Sequence, residues 1–160
     1  ARRDRQEYKF ETEQVNLANL VEEVYQETKL IDEEHEIKLV ANESVEIKAD
    51  PKSIKQLLRI IVDNGLKYTE VGGEITISSQ AGEKQVEIKI TDTGQGIPSQ
   101  DVDKVFDRFY RADESRNRES GGAGLGLSIA KWIVEEHSGE LEVASELGVG
   151  TEVTIKLPLV

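Results

Sequence analysis

The sequence predicts an α+β fold, a two-layer α/β sandwich in which a mixed, mostly antiparallel sheet carries helices on one face. Three observations lead to this prediction. Apolar residues recur at helical spacing in several separate segments. The other regular segments alternate apolar and polar residues, as half-buried strands do. Most of these strand segments follow one another across short turns, which makes neighbouring strands antiparallel.

The first half of the chain predicts two helices with a strand pair between them. Asn16 is the expected N-cap of the first helix, whose inward face holds Leu17, Leu20, Val21, Val24 and Ile31. Segments 36–41 and 45–49 are predicted to pair with each other around a polar turn. Asp50-Pro51 then supplies a cap and a proline at the first helical position. The second helix is expected to bury Ile54, Leu57, Leu58, Ile61 and Val62.

After a break at Gly72-Gly73, the chain predicts a hairpin and a short helix. Segments 74–79 and 85–91 form the hairpin around Gly82. Ser99 is the expected cap of the short helix, whose apolar residues are Val102, Val105, Phe106 and Phe109.

The end of the chain predicts one more helix and one more hairpin. The helix spans residues 125–137 and stops at Gly139. Strands over 141–145 and 152–157 are joined through Gly148-Val149-Gly150. All of these strands belong to the predicted sheet, and the helices cover one of its faces.

Composition limits what the protein can be. With 160 residues, the chain is expected to form one domain, or one domain with a short stub, and to bury a core of its own. Its net charge of −12 argues against nucleic acid or an anionic membrane surface as a direct partner. The sequence has no cysteine and no apolar run of about 20 residues, the length of a membrane span. The start of the chain, Ala1-Arg2-Arg3-Asp4-Arg5, suggests a piece of a longer protein.

Two glycine-rich stretches suggest a nucleotide pocket. The first is Asp92-Thr93-Gly94-Gln95-Gly96-Ile97, where an acidic residue at the head suits a base-edge acceptor. The second is Gly122-Ala123-Gly124-Leu125-Gly126-Leu127, which opens into the predicted helix, so that its free N–H groups could receive a phosphate. Glycines at alternate positions allow the backbone to approach a ligand closely.

Arginines are concentrated between these two stretches. Four of the eight in the chain fall there, Arg108, Arg111, Arg116 and Arg118. Arginine suits phosphate oxygens, so this irregular segment, from about Tyr110 to Gly124, is predicted to be a mobile cover over the pocket. For Arg116 and Arg118 a solvated loop, paired locally with Asp113, Glu114 and Glu119, is an equal alternative.

Three polar residues share one face at the end of the second helix, Asn64, Lys67 and Tyr68. An Asn amide oxygen can supply one ligand to Mg²⁺ and leave the other positions to water and phosphates. Taken alone, the three residues fit an ordinary polar helix end better. Together with the glycine-rich stretches, they favour a nucleotide site.

In this arrangement the chain resembles the catalytic and ATP-binding domain of bacterial sensor histidine kinases, within the superfamily of gyrase, chaperone and mismatch-repair ATPases. Asp63-Asn64-Gly65-Leu66-Lys67-Tyr68-Thr69 is similar to the family's N box, and Asp92–Ile97 and Gly122–Leu127 to its two glycine boxes. Phe106-Asp107-Arg108-Phe109-Tyr110-Arg111 is similar to the F box, and Gly148-Val149-Gly150-Thr151 to a last glycine motif.

The resemblance implies a Bergerat-type ATP-binding fold and a role for each matching position. Asn64 would bind Mg²⁺, with Lys67 and Tyr68 near the phosphates, and Asp92 would accept from the adenine amino group. Arg111 would reach the γ-phosphate. Asn64, Lys67 and Arg111 are thus the implied catalytic residues. The wider implied nucleotide site adds Gly94, Gly96, Ile97, Tyr110, Gly122, Gly124, Leu125, Gly126, Leu127 and Thr151.

The resemblance also implies partners. The domain would transfer the γ-phosphoryl group of Mg-ATP to a histidine on a separate dimerisation and phosphoacceptor domain, upstream of a response regulator. Residues 1–12 would be the end of the last helix of that preceding domain, or a linker, and 13–160 the catalytic domain. We expect a cytoplasmic domain of a membrane sensor, with no direct membrane contact.

The chain departs from the family pattern at one position and lacks the acceptor histidine. Many members carry a second Asn where this chain has Ile60, so a second polar contact from that helical turn is not expected. Neither His35 nor His137 lies in an acceptor-like sequence, and both are expected to be structural or solvated.

Two other classes of function remain open at this point. One is a superfamily ATPase or ATP-dependent clamp with water as the acceptor. The other is a silent nucleotide-binding module or a regulatory kinase that acts on serine. The F box and the absence of room for a transducer domain favour the histidine kinase.

Overall fold

The structure is a computed structural model and describes residues 9–105 and 126–160. Within these ranges the helices are α1 (Leu17–Ile31), α2 (Pro51–Lys67), α3 (Gly126–Glu136) and a 3₁₀ helix, Ser99–Lys104. The strands are β1 (Glu13–Asn16), β2 (Glu36–Asn42), β3 (Glu46–Ala49), β4 (Glu74–Ala81), β5 (Gln85–Asp92), β6 (Glu140–Glu146) and β7 (Gly150–Pro158).

Five strands form the main sheet, in the order β2-β4-β5-β7-β6. Both predicted hairpins, β4–β5 and β6–β7, are present, and β5 and β7 also pair antiparallel at the centre. Among the strands of the described residues, β2 and β4 are the one pair that runs parallel. The predicted α+β class, with a mixed and mostly antiparallel sheet, is therefore confirmed.

The predicted pairing of segments 36–41 and 45–49, which are β2 and β3 in the structure, is wrong. β2 pairs in parallel with β4, and β3 pairs instead with β1, in a separate two-stranded sheet. The chain reaches β4 from β2 through β3 and α2, and this long crossover permits the parallel pair. The alternation of side chains shows that a segment is a strand but does not specify its partner.

The two faces of the main sheet differ sharply. Side chains from the central strands are buried on one face, as Ile77, Ile88 and Ile155 illustrate, and the three α-helices pack there. On the other face, charged residues form cross-strand ion pairs, including Lys38–Glu74 at 2.7 Å and Lys156–Glu142 at 3.0 Å. This one-sided burial is the predicted two-layer arrangement.

Helix α1 follows the prediction except at its two ends. Ile31 is 73% exposed. The buried row ends one turn earlier at Thr28, whose hydroxyl donates to the Val24 carbonyl and accepts from Arg59. Asn16 precedes the helix, but its side chain makes no capping hydrogen bond; its amide nitrogen Nδ2 donates to the Ser44 hydroxyl. The core therefore closes around Thr28 and leaves the last turn of α1 in solvent.

Helix α2 begins at the predicted cap. The Asp50 carboxylate accepts from the backbone N–H groups of Lys52 and Ser53, and Pro51 occupies the first turn. All five residues predicted for its inward face are buried. Asp50 makes two further contacts, since its other carboxylate oxygen accepts from the Glu11 N–H and its own N–H donates to His137 Nε2.

The segment before β1 lies against α3. The Phe10 ring is 5.2 Å from the Trp132 ring and 5.3 Å from the His137 ring, measured between centroids. Together with the Glu11–Asp50 hydrogen bond, these ring contacts hold the segment at the N-terminal end of α2.

The end of α3 differs in detail from the prediction. The residue with positive φ after the helix is Ser138, at 59°, while Gly139 donates its N–H to the Val134 carbonyl. Glycine is still required at 139, because a Cβ there would collide with the Lys156 carbonyl. The short helix begins after Pro98, and Ser99 does not cap it. Phe106, Phe109 and Leu125 lie outside the described residues.

Candidate functional site

The site is centred on Asp92, the last residue of β5. One carboxylate oxygen, Oδ1, accepts from the backbone N–H of Gly94 at 2.9 Å and of Thr151 at 3.2 Å. Residues 9–105 and 126–160 supply no donor to Oδ2. Burial raises the pKa of Asp92, and the two N–H donors offset part of that rise. The orientation of the Asp92 carboxylate is therefore fixed through Oδ1, and Oδ2 is available to a ligand.

The last turns of α2 lie directly against Asp92. Gly65 faces Asp92 here, since a Cβ at this position would be 3.5 Å from Asp92 Oδ2, in ordinary contact, and 3.2 Å from Ile75 Cδ1. Asn64 and Tyr68 are half-buried and Lys67 is exposed. Among the described residues, none hydrogen-bonds the Asn64 side chain, and the Lys67 ammonium lies 5.7 Å from the Tyr68 ring centroid.

The first glycine-rich loop is fastened to the end of α2. Gln95 donates its N–H to the Tyr68 carbonyl at 3.2 Å. Gly94 is buried so close to this carbonyl that a Cβ at residue 94 would collide with it. The loop and the helix end are therefore positioned as one unit around the Asp92 carboxylate.

The same loop packs on its other side against the turn between β6 and β7. Gly148 donates its N–H to the Gln95 carbonyl at 2.7 Å. Gly96 has a φ of 77°, and a Cβ there would collide with the Glu146 carbonyl. Two of the sequence-predicted glycine motifs thus lie in direct contact.

Ser145 organises this contact, although it lies in none of the sequence motifs. Its hydroxyl accepts from the Ile97 N–H at 2.8 Å and lies 2.9 Å from the Thr151 hydroxyl. Thr151 reaches Asp92 through its backbone N–H, while its side chain faces Ser145. A serine in a strand of alternating residues gives no signal by which sequence reasoning could have found it.

Ile60 lies where α2 approaches the start of α3. A Cβ at Gly126 would be 3.5 Å from Ile60 Cγ2, so the residue that departs from the family pattern lies beside Gly126. Leu127, the next residue, packs against the core.

The structure thus brings together Asn64, Lys67, Tyr68, Asp92, Gly94, Gly96, Ile97 and Thr151. Gly126 lies beside Ile60, in the middle of α2, and Leu127 packs against the core. Tyr110, Arg111, Gly122, Gly124 and Leu125 lie outside the described residues, as does the predicted cover. The functional roles of all these residues stay predictions.

Neither described histidine resembles a phosphate acceptor. His137 is 8% exposed, accepts from the Asp50 N–H at Nε2 and faces the Ile133 carbonyl with Nδ1. His35 is hydrogen-bonded through both ring nitrogens. Both are structural in the described part of the chain, as expected.

This arrangement has the chemistry of a nucleotide pocket. Asp92 Oδ2 is available to an amino donor on a base. The side-chain amide of Asn64 and the ammonium group of Lys67 lie one helical turn apart on α2. The fold and the site together define an ATP-binding domain of the mixed α/β class. The profile of the family described as histidine kinase-, DNA gyrase B-, and HSP90-like ATPase matches residues 49–160, and the chain belongs to this family.

Similar proteins carry the names of sensor histidine kinases. Sensor histidine kinase YkoH of Bacillus subtilis is 49% identical over 71% of this chain and 25% of its own length. Sensor histidine kinase WalK of the same organism is 37% identical over 97% of this chain and 26% of its own length. The chain therefore spans about a quarter of these curated relatives.

A solved structure shows the same fold. The mycobacterial sensor histidine kinase MprB superposes with a TM-score of 0.81 at 27% identity, over 93% of this chain and 98% of that chain.

No helix in residues 9–105 and 126–160 is both long and apolar enough to cross a membrane.

Proposed function

We propose that this chain is the catalytic domain of a sensor histidine kinase, which binds Mg-ATP and transfers the γ-phosphoryl group to a histidine on a separate domain. The observation that carries the proposal is the Asp92 carboxylate, held through Oδ1 by two N–H groups and approached by the end of α2 that bears Asn64. The similarity to sensor histidine kinases over most of the chain supports it.

Asp92 is proposed to bind the adenine amino group through Oδ2. The loop from Gly94 to Ile97 would pass beside the base, because its two glycines remove side chains where the backbone is crowded. Thr151 and Ser145 would support the carboxylate from the opposite side.

Asn64 fits the proposed Mg²⁺ site. Its side chain is half-buried and has no partner among the described residues, so its amide oxygen is available to a cation. A single oxygen ligand from the protein, completed by water and phosphates, is a normal way to hold Mg²⁺. The ion would neutralise charge on the phosphates, and Lys67 would add a second positive charge on the same helical face.

The proposed partners are a dimerisation domain that carries the phosphoacceptor histidine and, downstream, a response regulator. Arg111 is proposed to contact the γ-phosphate, and the second glycine-rich stretch to line the triphosphate. Residues 1–12 are proposed to connect the two domains. The parent protein is proposed to be a membrane sensor with this domain in the cytoplasm.

One experiment distinguishes the proposed function from the alternatives. The purified domain is mixed with ATP labelled at the γ-phosphate and with a helical-hairpin domain that carries a phosphoacceptor histidine. Acid-labile label on the hairpin is expected, because phosphohistidine is unstable in acid. Acid-stable label would indicate a serine kinase, phosphate release alone an ATPase, and no binding of ATP would contradict the proposal.

A further inference from the structure

His35 joins two segments that are distant in sequence. It lies in the loop between α1 and β2, and its side chain is 6% exposed. Its Nδ1 atom is 3.0 and 3.1 Å from the two carboxylate oxygens of Asp32. Its Nε2 atom is 2.7 Å from the carbonyl oxygen of Thr69, just beyond the end of α2. The ring therefore bridges the α1–β2 loop and the C-terminal end of α2.

Both partners of the His35 ring are hydrogen-bond acceptors. A carboxylate and a backbone carbonyl have no proton to donate, and a neutral imidazole carries only one N–H. Both contacts are hydrogen bonds only if the ring is protonated at both nitrogens. His137 offers a contrast, because its Nε2 accepts from a backbone N–H and its Nδ1 faces a carbonyl, which fits a neutral ring.

The charges around His35 favour the imidazolium. Burial lowers the pKa of His35, but the Thr69 carbonyl and the Asp32 carboxylate raise it, Glu34 adds to them, and the net pKa is raised. The other charged residues on the segments around the ring are mostly acidic: Glu33, Glu36, Lys67, Glu70 and Glu74. The negative end of the α2 dipole lies on the same side and also favours a cation.

Thr69 connects His35 to the candidate site. Its hydroxyl donates to the Gly65 carbonyl at 2.7 Å, within the last turn of α2. The carbonyl of the preceding residue, Tyr68, accepts from Gln95 in the first glycine-rich loop. A displacement of Thr69 would move this carbonyl relative to the loop and to Asp92.

We propose that His35 is a positioning residue of the nucleotide site, which acts as an imidazolium to hold the end of α2 and thereby the Tyr68 carbonyl against the first glycine-rich loop. The effect on nucleotide binding rests on the proposed function; the effect on the loop does not.

The proposal makes the site sensitive to pH in a definite direction. Because the pKa of His35 is raised in the folded protein, its stabilising contribution is fully present at pH values below the pKa of an unfolded histidine. The contribution is lost as the pH rises through the folded-state pKa. The loop should therefore be held more firmly on the acidic side.

The first test does not require a nucleotide. Nitrogen-15 NMR of the His35 ring should show both nitrogens protonated at low pH, with a midpoint above that of histidine in an unfolded peptide. Hydrogen exchange of the Gln95 amide should be about threefold to tenfold faster in His35→Gln and in Asp32→Asn. Glu33→Gln is the matched control, because it removes a neighbouring exposed carboxylate that does not contact the ring.

The second test measures affinity for ADP with Mg²⁺ by calorimetry between about pH 5.5 and 8.5. The ratio of the wild-type affinity to the affinity of His35→Gln should fall by about threefold to tenfold as the pH rises through the His35 midpoint. If the wild type binds no nucleotide, the proposed function fails and the Gln95 exchange alone decides the role of His35. A neutral His35 ring at low pH, or equal Gln95 protection in all four proteins, would overturn the proposal. If His35→Gln does not fold, the wild-type ring titration and Asp32→Asn decide it.

Discussion

Asp92 illustrates how the site depends on single residues. Its Oδ1 atom is committed to two backbone N–H groups, so the carboxylate cannot rotate without losing them. Its burial disfavours the charged form and raises its pKa. A position that keeps such a carboxylate at a cost in stability is expected to be functional.

Asp92→Asn should therefore separate stability from binding. The amide oxygen can still accept from Gly94 and Thr151. A neutral amide also costs less to bury than a carboxylate, because no charge has to be removed from water. The melting temperature without ligand should be equal or higher at neutral pH. The binding free energy of ATP should become less favourable by about 1.5–3 kcal/mol, because the adenine amino group would meet an amide donor instead of a carboxylate. Calorimetry measures the affinity, and an unchanged value would remove the adenine assignment.

Asn64→Ala should abolish function without affecting the fold. Its side chain has no partner among the described residues, and alanine is the better helix former, so stability should change by no more than about 0.5 kcal/mol. The increase in nucleotide affinity on adding Mg²⁺ should disappear, together with phosphotransfer.

Asp63→Ala is the matched control for this substitution. Asp63 precedes Asn64 on α2 but is exposed and pairs with Arg59 at 3.4 Å. This variant should keep its response to Mg²⁺. A large loss of stability in Asn64→Ala would show instead that the residue serves the fold.

At the scale of elements, the junction of β5 with β7 depends on Gly150. Its φ is 147°, and a Cβ there would collide with the Asp92 carbonyl. Because the obstacle is backbone in the central pair of strands, it cannot move aside.

Gly150→Ala should destabilise the domain by about 3 kcal/mol or more, from backbone strain and overpacking together. Gly148→Ala provides the comparison. Its φ is 82°, but among the described residues other than its two chain neighbours no atom lies within 4 Å of the added Cβ, so only strain of about 1–2 kcal/mol is expected. Urea unfolding of both variants measures the difference, and equal losses would mean that the close approach to Asp92 contributes nothing.

The elements also show where sequence reasoning works. Helix α2 is predictable in full, because its cap, its proline and its apolar spacing are all local features. The partners of β2 and β3 are not, since pairing depends on contacts between distant segments. β1 is only four residues long and offers too little alternation to detect.

Within the site, motif residues such as Asp92 and Gly96 are identified from sequence, while their supports are not. Ser145 contributes a hydroxyl, and Thr69, although it ends the N-box motif, contributes a backbone carbonyl; the tertiary structure sets both positions. His35 is visible in the sequence, but its bridge to Thr69 spans 34 residues. Chemistry that depends on residue type can be predicted, and positioning by distant backbone cannot.

At the scale of the whole molecule, one continuous core joins the three helices to the buried face of the sheet. Leu57, in the middle of α2, is completely buried, whereas Leu30 near the end of α1 is 79% exposed. Leu57→Ala should cost about 2–5 kcal/mol and Leu30→Ala no more than about 0.5 kcal/mol. Thermal unfolding of both variants checks this, and similar losses would contradict the assigned core.

The fastening of α2 at both of its ends has a mechanical consequence. At its start, Asp50 bonds to Glu11 and His137, and just beyond its end Thr69 bonds to His35. Helix α2 is roughly 25 Å long, and hydrogen bonds hold it in place at each end. A force on the segment at Phe10 and Glu11 would reach the start of α2 through the Glu11–Asp50 hydrogen bond, and the His35–Thr69 contact would resist displacement of the other end, beside the Asp92 carboxylate.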